Sequence, residues 1–288
     1  AYDVETIYEI PLIFKKEGLG NAILKKLKLE KKKDDSENWQ SWINRVKTLK
    51  DKDEVTISIV GKYIKLNDSY KSLYEALYHG GVENDVNVKL NLVEADNLQE
   101  WNLDDTFSNS DAILVPGGFG NRGIEGMIKA IEYARNKKIP YFGICLGMQV
   151  ACIEYFRHVI GFEDANSTEF SQSSDHNIFL KLKELKNIDT MGHNMRLGEF
   201  SCVLKKDTLS MEIYNTNKIF ERHRHRYEFN PEFETILKEN GMVISGKNSE
   251  RNLVEIVELP EHPWFFGCQF HPEFKSRPFL PHPIFSQF

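Results

Sequence analysis

The chain is poor in the features that mark several large classes of protein. It has only four cysteines, Cys145, Cys152, Cys202 and Cys268, and no two of them form a CxxC pair. That spacing suits neither a zinc site nor the disulfide framework of a small secreted domain, and it points to a reducing, cytoplasmic setting. No apolar run approaches the roughly 20 residues that span a bilayer, and the first residues carry no signal-peptide pattern. Positive charge is not in excess either. The formal net charge is −6, so nothing draws the chain generally to nucleic acid or to an anionic membrane. A Walker A loop and internal repeats are also missing. What remains is a composition ordinary for a globular protein, 41% hydrophobic over 288 residues, long enough for one large domain and an appendage.

Residues 1–54 differ from the rest. A short apolar run, Ile7-Tyr8-Glu9-Ile10-Pro11-Leu12, precedes a helical pattern in which Leu19, Ile23 and Leu27 share a face. Eight lysines fall between Lys15 and Lys33, and the run ends in Lys31-Lys32-Lys33-Asp34-Asp35-Ser36. Mixed with acids in this way, it reads as a solvated helix face and linker rather than a nucleic-acid patch. A second helix is expected over Asn38–Lys52, with Trp39, Trp42, Ile43 and Val46 on one side. The chain opens at Ala1 and reads as a fragment, with residues 1–54 expected to connect to an upstream domain.

From Val55 strands and helices alternate. Buried strands are predicted at Val55–Val60, Val86–Val93, Ala112–Val115 and Tyr141–Ile144. Helices are predicted at Ser69–Tyr78, Ile124–Asn136 and Met148–His158. This order implies an α/β fold with a largely parallel sheet flanked by helices, whose ligands sit outside the carboxyl ends of the strands. Later β-type runs (Ile178–Leu182, Phe200–Leu204, Met242–Ser245, Leu253–Leu259 and Trp264–Gln269) can extend that sheet.

Two segments carry the chemistry. Gly143-Ile144-Cys145-Leu146-Gly147 follows a strand and precedes a helix, the setting of a nucleophile elbow. The helix amino terminus favours a thiolate there. Downstream, His271-Pro272-Glu273 places a histidine and a carboxylate two apart, on one side of an extended segment. Together they form the thiol version of a nucleophilic triad. Pro116-Gly117-Gly118-Phe119-Gly120 ends the preceding strand, where its N–H groups and that of Leu146 can form an oxyanion hole. Cys152, Cys202 and Cys268 lack such a frame and read as packing residues. In Arg222-His223-Arg224-His225-Arg226, strand alternation would put arginines on one face and histidines on the other. The flanking Glu221 and Glu228 suggest an ion-paired site, in which an arginine can hold a substrate carboxylate. Alone, the triad could serve any thiol hydrolase, including one acting on peptides or γ-glutamyl conjugates.

At these residues the sequence resembles the class I (triad) glutamine amidotransferases. Further matching blocks are Asp164-Ala165-Asn166-Ser167-Thr168-Glu169-Phe170, Met195-Arg196-Leu197-Gly198, Glu221 to Glu228 and Gln269 to Phe274. The likeness runs from about Val55 to the end. It implies a flavodoxin- or Rossmann-like fold with a strand-to-helix elbow over 55–288, and the end of a synthetase domain plus linker over 1–54. It implies that Cys145 attacks the glutamine side-chain amide, that His271 acts as base then acid, and that Glu273 orients it. Gly118 and Leu146 would be the oxyanion donors. Glu169 would take the substrate α-ammonium and Arg226 its α-carboxylate, with Gly147, Met148 and Gln149 lining the pocket. The same resemblance implies a glutamine-hydrolysing ligase. Its ammonia would serve ATP-dependent amination of UTP to CTP in a synthetase domain of the same polypeptide, with ATP and Mg2+ bound there and GTP as activator. A homotetramer is implied at full length, with no metal or other cofactor in this domain. One departure from the family pattern, at Met191-Gly192-His193-Asn194, falls on what looks like a lid loop.

Overall fold

The computed structural model describes residues 2–30, 36–66, 68–171, 173–184 and 195–288. Met191-Gly192-His193-Asn194 lies outside the described residues, as does the Lys31-Lys32-Lys33-Asp34-Asp35 run. The chain begins with three helices, α1 (Ile10–Lys16), α2 (Leu19–Leu27) and α3 (Ser36–Thr48). The α/β body follows with β1 (Glu54–Gly61), α4 (Lys71–Asn84), β2 (Asn87–Glu94), α5 (Leu103–Phe107), β3 (Ala112–Val115), α6 (Ile124–Lys137), β4 (Tyr141–Ile144) and α7 (Leu146–Tyr155). Then come the short β5 (Asn166–Ser167), β6 (Asn177–Lys181), β7 (Arg196–Leu204), α8 (Leu209–Tyr214), β8 (Lys218–His225) and β9 (Tyr227–Phe229). The last elements are α9 (Glu234–Glu239), β10 (Val243–Lys247), β11 (Val254–Glu258), β12 (Phe265–Cys268) and α10 (Pro283–Gln287).

Nine of these strands form one sheet in the order β2-β1-β3-β4-β12-β11-β10-β7-β8. The first five are mutually parallel, and the remaining neighbours are antiparallel. The later β-type runs therefore do extend the parallel sheet, apart from Asn177–Lys181, which joins β5 and β9 in a separate three-stranded sheet. Every residue of β3, β4 and β12 is buried, as a parallel strand covered on both faces requires. Successive residues pack on opposite sides. Ile113, Val115, Tyr141 and Phe265 join Met127 and Ile131 of α6 and Val150 and Ile153 of α7. Leu114, Phe142, Ile144 and Phe266 join Leu73 and Leu77 of α4 and Ile284 and Phe285 of α10. Period-two alternation thus builds two cores on one sheet.

Two elements run past their expected ends. Helix α4 continues through Gly80 and Gly81 to Asn84, although a glycine pair reads as a stop. A Cβ on Gly80 would lie 2.4 Å from the Phe285 carbonyl oxygen, and one on Gly81 2.7 Å from Val88, so both glycines serve close packing. Helix α7 starts two residues earlier than expected, and after Tyr155 it widens into a π-type turn that ends at Gly161, φ +93°. In the amino-terminal region Trp42, Ile43, Val46 and Leu49 pack on Val82 of α4, while Leu19, Ile23 and Leu27 of α2 are exposed. Tyr8 meets Trp42 edge-on at 4.7 Å and hydrogen-bonds His79 at 2.9 Å.

The elbow shows why glycine stands at 143 and 147. A Cβ on Gly147 would sit 2.0 Å from the Val115 carbonyl oxygen, and one on Gly143 2.7 Å from the Gly147 backbone. Strand and helix are in backbone contact, and no side chain fits between them. Gly147→Ala is therefore expected to cost about 3 kcal/mol or more of stability, as severe overpacking does. Chemical unfolding measures this; a variant as stable as the parent would show that β3 and α7 are not held this close.

Candidate active site

Three adjacent strands deliver the candidate residues to one rim. In register, Val115 of β3 faces Gly143 of β4, and Ile144 of β4 faces Cys268 of β12. The residues just past these strand ends are Pro116-Gly117-Gly118, Cys145 and Gln269-Phe270-His271, so the fold brings together segments 27 and more than 120 residues apart. Cys145 occupies the turn with φ +52° and ψ −101°, a conformation unusual for a residue with a Cβ and costing about 1–3 kcal/mol. Two bonds hold it there. The Cys145 N–H donates to the Cys268 carbonyl at 2.7 Å, and the Gln149 N–H donates to the Cys145 carbonyl at 3.2 Å. Helix α7 begins at once, so its first N–H groups, Leu146 foremost, have no intrahelical acceptor.

His271 is bonded at Nδ1 to Glu273 Oε1 at 2.7 Å. Its backbone N–H donates to the Arg222 carbonyl at 2.7 Å, and its ring stacks on Phe274. Its buried Nε2 has no hydrogen-bond partner among the described residues. Burial alone would lower the affinity of this ring for a proton, but Cys145 and Glu273 outweigh burial and raise its pKa well above the usual histidine value. Gly117 closes the group: a Cβ there would lie 2.8 Å from His271 Cε1 and 3.6 Å from Cys145 Cβ. Sulfur, imidazole and carboxylate therefore share one desolvated site.

The glycine loop is tied down by Lys62, which the sequence reading did not single out. Lys62 is buried, its Nζ donates to the carbonyls of Phe119 (3.2 Å) and Gly120, and its stem runs beside Gly118. Burial lowers its pKa to about 8, against the pull of nearby Glu169. The Gly120 N–H donates to Glu169 Oε1 at 2.7 Å. Burial raises the Glu169 carboxyl, opposed by this N–H, by Lys62 and by Arg226, so the two expected charge anchors lie within electrostatic reach of each other. Leu146 packs its side chain near Gly118, and Gln149 Nε2 donates to the Tyr227 carbonyl, beside Arg226, at 3.3 Å. Met148 is buried with its side chain against Gly267, so only its backbone can face the site. A cavity of about 170 Å³ reaches Cys145, Gly117, Gly118 and His271 from the side of Tyr63 and Phe274; Glu169, Arg226, Gly147, Met148 and Gln149 are not among its walls.

The Arg222–Arg226 run alternates as expected: His223 and His225 are buried and the arginines face outward. The flanking carboxylates are paired mainly outside the run, though Glu228 also lies 3.5 Å from His225. Glu221 accepts from Tyr214 at 2.9 Å and contacts His282 at 2.8 Å, and Glu228 pairs with buried Arg196 at 3.5 Å. Arg196 also donates to Glu255 at 2.7 Å. His223 and His225 join this layer at 2.9 Å from each other, held neutral by burial and by Arg196. Strand alternation foretold which side chains turn inward, but Arg196 comes from another strand, and a single chain cannot reveal that pairing. Cys152, Cys202 and Cys268 are buried free thiols pushed up by desolvation, in keeping with packing roles.

A strand-elbow-helix cysteine beside a histidine–carboxylate pair, at the ends of the parallel strands of an α/β sheet, has the parts of a thiol-nucleophile triad. Residues 65–288 match the family model described as glutamine amidotransferase class-I, and the chain belongs to that family. It is 50% identical over all 288 residues to the CTP synthase of Acidobacterium capsulatum, covering 52% of that protein. It is likewise 50% identical to the CTP synthase of Syntrophus aciditrophicus, covering 53% of it. The chain thus spans about half the length of these curated relatives. Among solved structures it is similar to the Trypanosoma brucei CTPS glutaminase domain with bound acivicin, at a TM-score of 0.74 and 39% identity, over 81% of this chain and 91% of that one.

The buried layer beneath the site sets a pH dependence. Desolvation raises the Glu228 and Glu255 carboxyls, and Arg196 opposes it only in part. Unfolded, these carboxyls lose their protons near the ordinary 4.5 of glutamate. Folded, they keep them to higher pH, so the native state binds more protons over that interval and stability falls as pH rises through it. Glu255→Gln is expected to flatten that fall, and Arg196→Met to cost about 3–5 kcal/mol by stranding its partners. Unfolding measured between pH 4 and 9 checks both; an unchanged slope in Glu255→Gln would contradict the assignment.

Proposed function

We propose that this chain hydrolyses L-glutamine to glutamate and ammonia, as the ammonia-releasing part of a glutamine-hydrolysing ligase that aminates UTP to CTP. The observation that carries the reading is the strained Cys145 beside a His271–Glu273 pair whose free Nε2 faces a desolvated site. The sulfur attacks the side-chain amide carbon as thiolate, and Gly118 and Leu146 N–H groups hold the oxygen as it gains charge. His271 then gives its proton to the leaving nitrogen, the C–N bond breaks, and ammonia departs from a γ-glutamyl thioester on Cys145. Water attacks that thioester, His271 takes its proton, and the C–S electron pair returns to sulfur as glutamate leaves.

Glutamine is a zwitterion with a neutral reacting amide. Glu169 for its α-ammonium and Arg226 for its α-carboxylate, with Gly147, Gln149 and the backbone of Met148 along its length, would select it and set the reach of its amide. Asparagine, one methylene shorter, would leave its carbonyl outside the oxyanion donors.

The name carried by the relatives, at 50% identity over the whole chain, supports the wider role. On this reading residues 1–54 connect to a synthetase portion of the same polypeptide, and residues 55–288 form the glutaminase unit. ATP and Mg2+ act in the synthetase portion, GTP stimulates glutamine hydrolysis, and the full-length enzyme is a cytoplasmic homotetramer. Among the described residues no helix is long and apolar enough to cross a membrane.

Cys145→Ala should lower glutamine turnover by more than about a thousandfold; turnover equal to the parent would overturn the triad assignment. Arg226→Ala should raise KM for glutamine about ten- to a hundredfold, the worth of a charged hydrogen bond, with a smaller change in kcat. An unchanged KM would remove Arg226 from the substrate site. A panel of peptides and γ-glutamyl conjugates assayed alongside should give little turnover.

A further inference from the structure

The residue that opens the Gln269-Phe270-His271-Pro272-Glu273 block has no role in the scheme above, yet its side chain reaches the nucleophile. Gln269 is fully buried at the end of β12. Its backbone N–H donates to the Glu255 carbonyl at 2.8 Å, which fixes it against β11. Its side-chain Nε2 lies 3.7 Å from Cys145 Sγ, within the range of an N–H donor to sulfur, and its Oε1 accepts from Gln149 Nε2 at 3.1 Å.

The direction of this chain of amides follows from its far end. The Tyr227 carbonyl can only accept, so the Gln149 amide must turn its NH2 toward it. The same NH2 serves Gln269 Oε1, which leaves the Gln269 NH2 facing the sulfur. Were the Gln269 amide reversed, two NH2 groups would meet at 3.1 Å and the buried sulfur would face a carbonyl oxygen. The order Tyr227 C=O, Gln149 NH2, Gln269 C=O, Gln269 NH2, Cys145 S is the one arrangement in which every buried contact is a hydrogen bond.

We infer that Gln269 is a further catalytic residue, a fixed amide donor to the Cys145 sulfur that stabilises it as thiolate, with Gln149 as the positioning residue that aims the donor. The inference rests on the thiol reading above and adds to it a third support for the sulfur's charge, beside the helix start and His271. A donor to sulfur favours the charged form over the thiol. The thioester sulfur is a weaker acceptor, so the contact matters at rest and again when the acyl group leaves and sulfur recovers its electron pair. It also explains a glutamine in an otherwise apolar strand end: leucine or methionine would fill the same space and offer no donor.

The test is the pH dependence of Cys145 alkylation by iodoacetamide in the intact chain, read by mass spectrometry at the Cys145 peptide. This requires no glutamine turnover. Gln269→Met keeps the volume and removes the donor. Gln149→Met leaves Gln269 in place and removes what aims it; its place along the substrate does not enter a readout taken without glutamine. The expected result is an alkaline shift of the profile by about one pH unit in Gln269→Met, so that alkylation below the midpoint slows about tenfold. Gln149→Met should give a smaller shift in the same direction, with native circular dichroism in both. Profiles that coincide with the parent in both variants would overturn the role of Gln269 while leaving the triad intact. If Gln269→Met does not fold, Gln149→Met decides: a shift supports the inference and no shift overturns it. Should parental Cys145 alkylate no faster than a cysteine in an unstructured peptide, the triad reading itself falls and this inference with it.

Discussion

The site depends on the parallel pairing of β4 between β3 and β12. These three strands end level with one another, and each is followed immediately by a candidate functional segment. Parallel strands need covered faces, and α4, α6, α7 and α10 supply that cover from two sides. The same burial makes the sheet too crowded for any side chain at 143 or 147, so the backbone turns at Cys145 in direct contact with its neighbours. Packing of the sheet and placement of the sulfur are thus one constraint.

Low dielectric then gives the arrangement its chemistry. Cys145, His271 and Gln269 are all buried, so each hydrogen bond among them counts for more than it would in water. Desolvation would ordinarily strip His271 of its proton, and only the neighbouring sulfur and carboxylate reverse that. Lys62 performs a comparable task at the glycine loop, where its ammonium donates to the carbonyls of Phe119 and Gly120 and ties the loop down. Beneath lies the Arg196–Glu228–Glu255 layer, a buried arginine and two carboxyls on β7, β9 and β11 that links the antiparallel half of the nine-stranded sheet to the three-stranded one.

Much of this was legible in the sequence because it is local. The elbow sits between two glycines, β3 and β4 are continuous apolar runs, and His271 and Glu273 are two residues apart; period and turn chemistry suffice for these. The alternation of Arg222 to Arg226 could be read for the same reason. What escaped depends on contacts between distant segments. Helix α4 was expected to end at Tyr78 because the close approach of Phe285 to Gly80, from the far end of the chain, is not visible in sequence. Lys62 could not be singled out, since nothing near it in sequence announces the glycine loop it holds. Glu221 and Glu228 read as part of an ion-paired site, but their partners His282 and Arg196 come from other elements and are not named by the sequence. Gln269 was noted only as part of a block, because a donor to sulfur is a property of β12 lying beside β4.

The central claim is that one rim carries a nucleophile, two oxyanion donors and two opposite charges spaced for glutamine. The most direct measurement is a crystal structure of the chain after reaction with a glutamine-derived chloroketone. The account predicts a single covalent bond to Cys145 Sγ, the carbonyl oxygen between the N–H groups of Gly118 and Leu146, the α-ammonium at Glu169 and the α-carboxylate at Arg226. An adduct on another residue, or one on Cys145 with its amino-acid end directed away from Glu169 and Arg226, would contradict it.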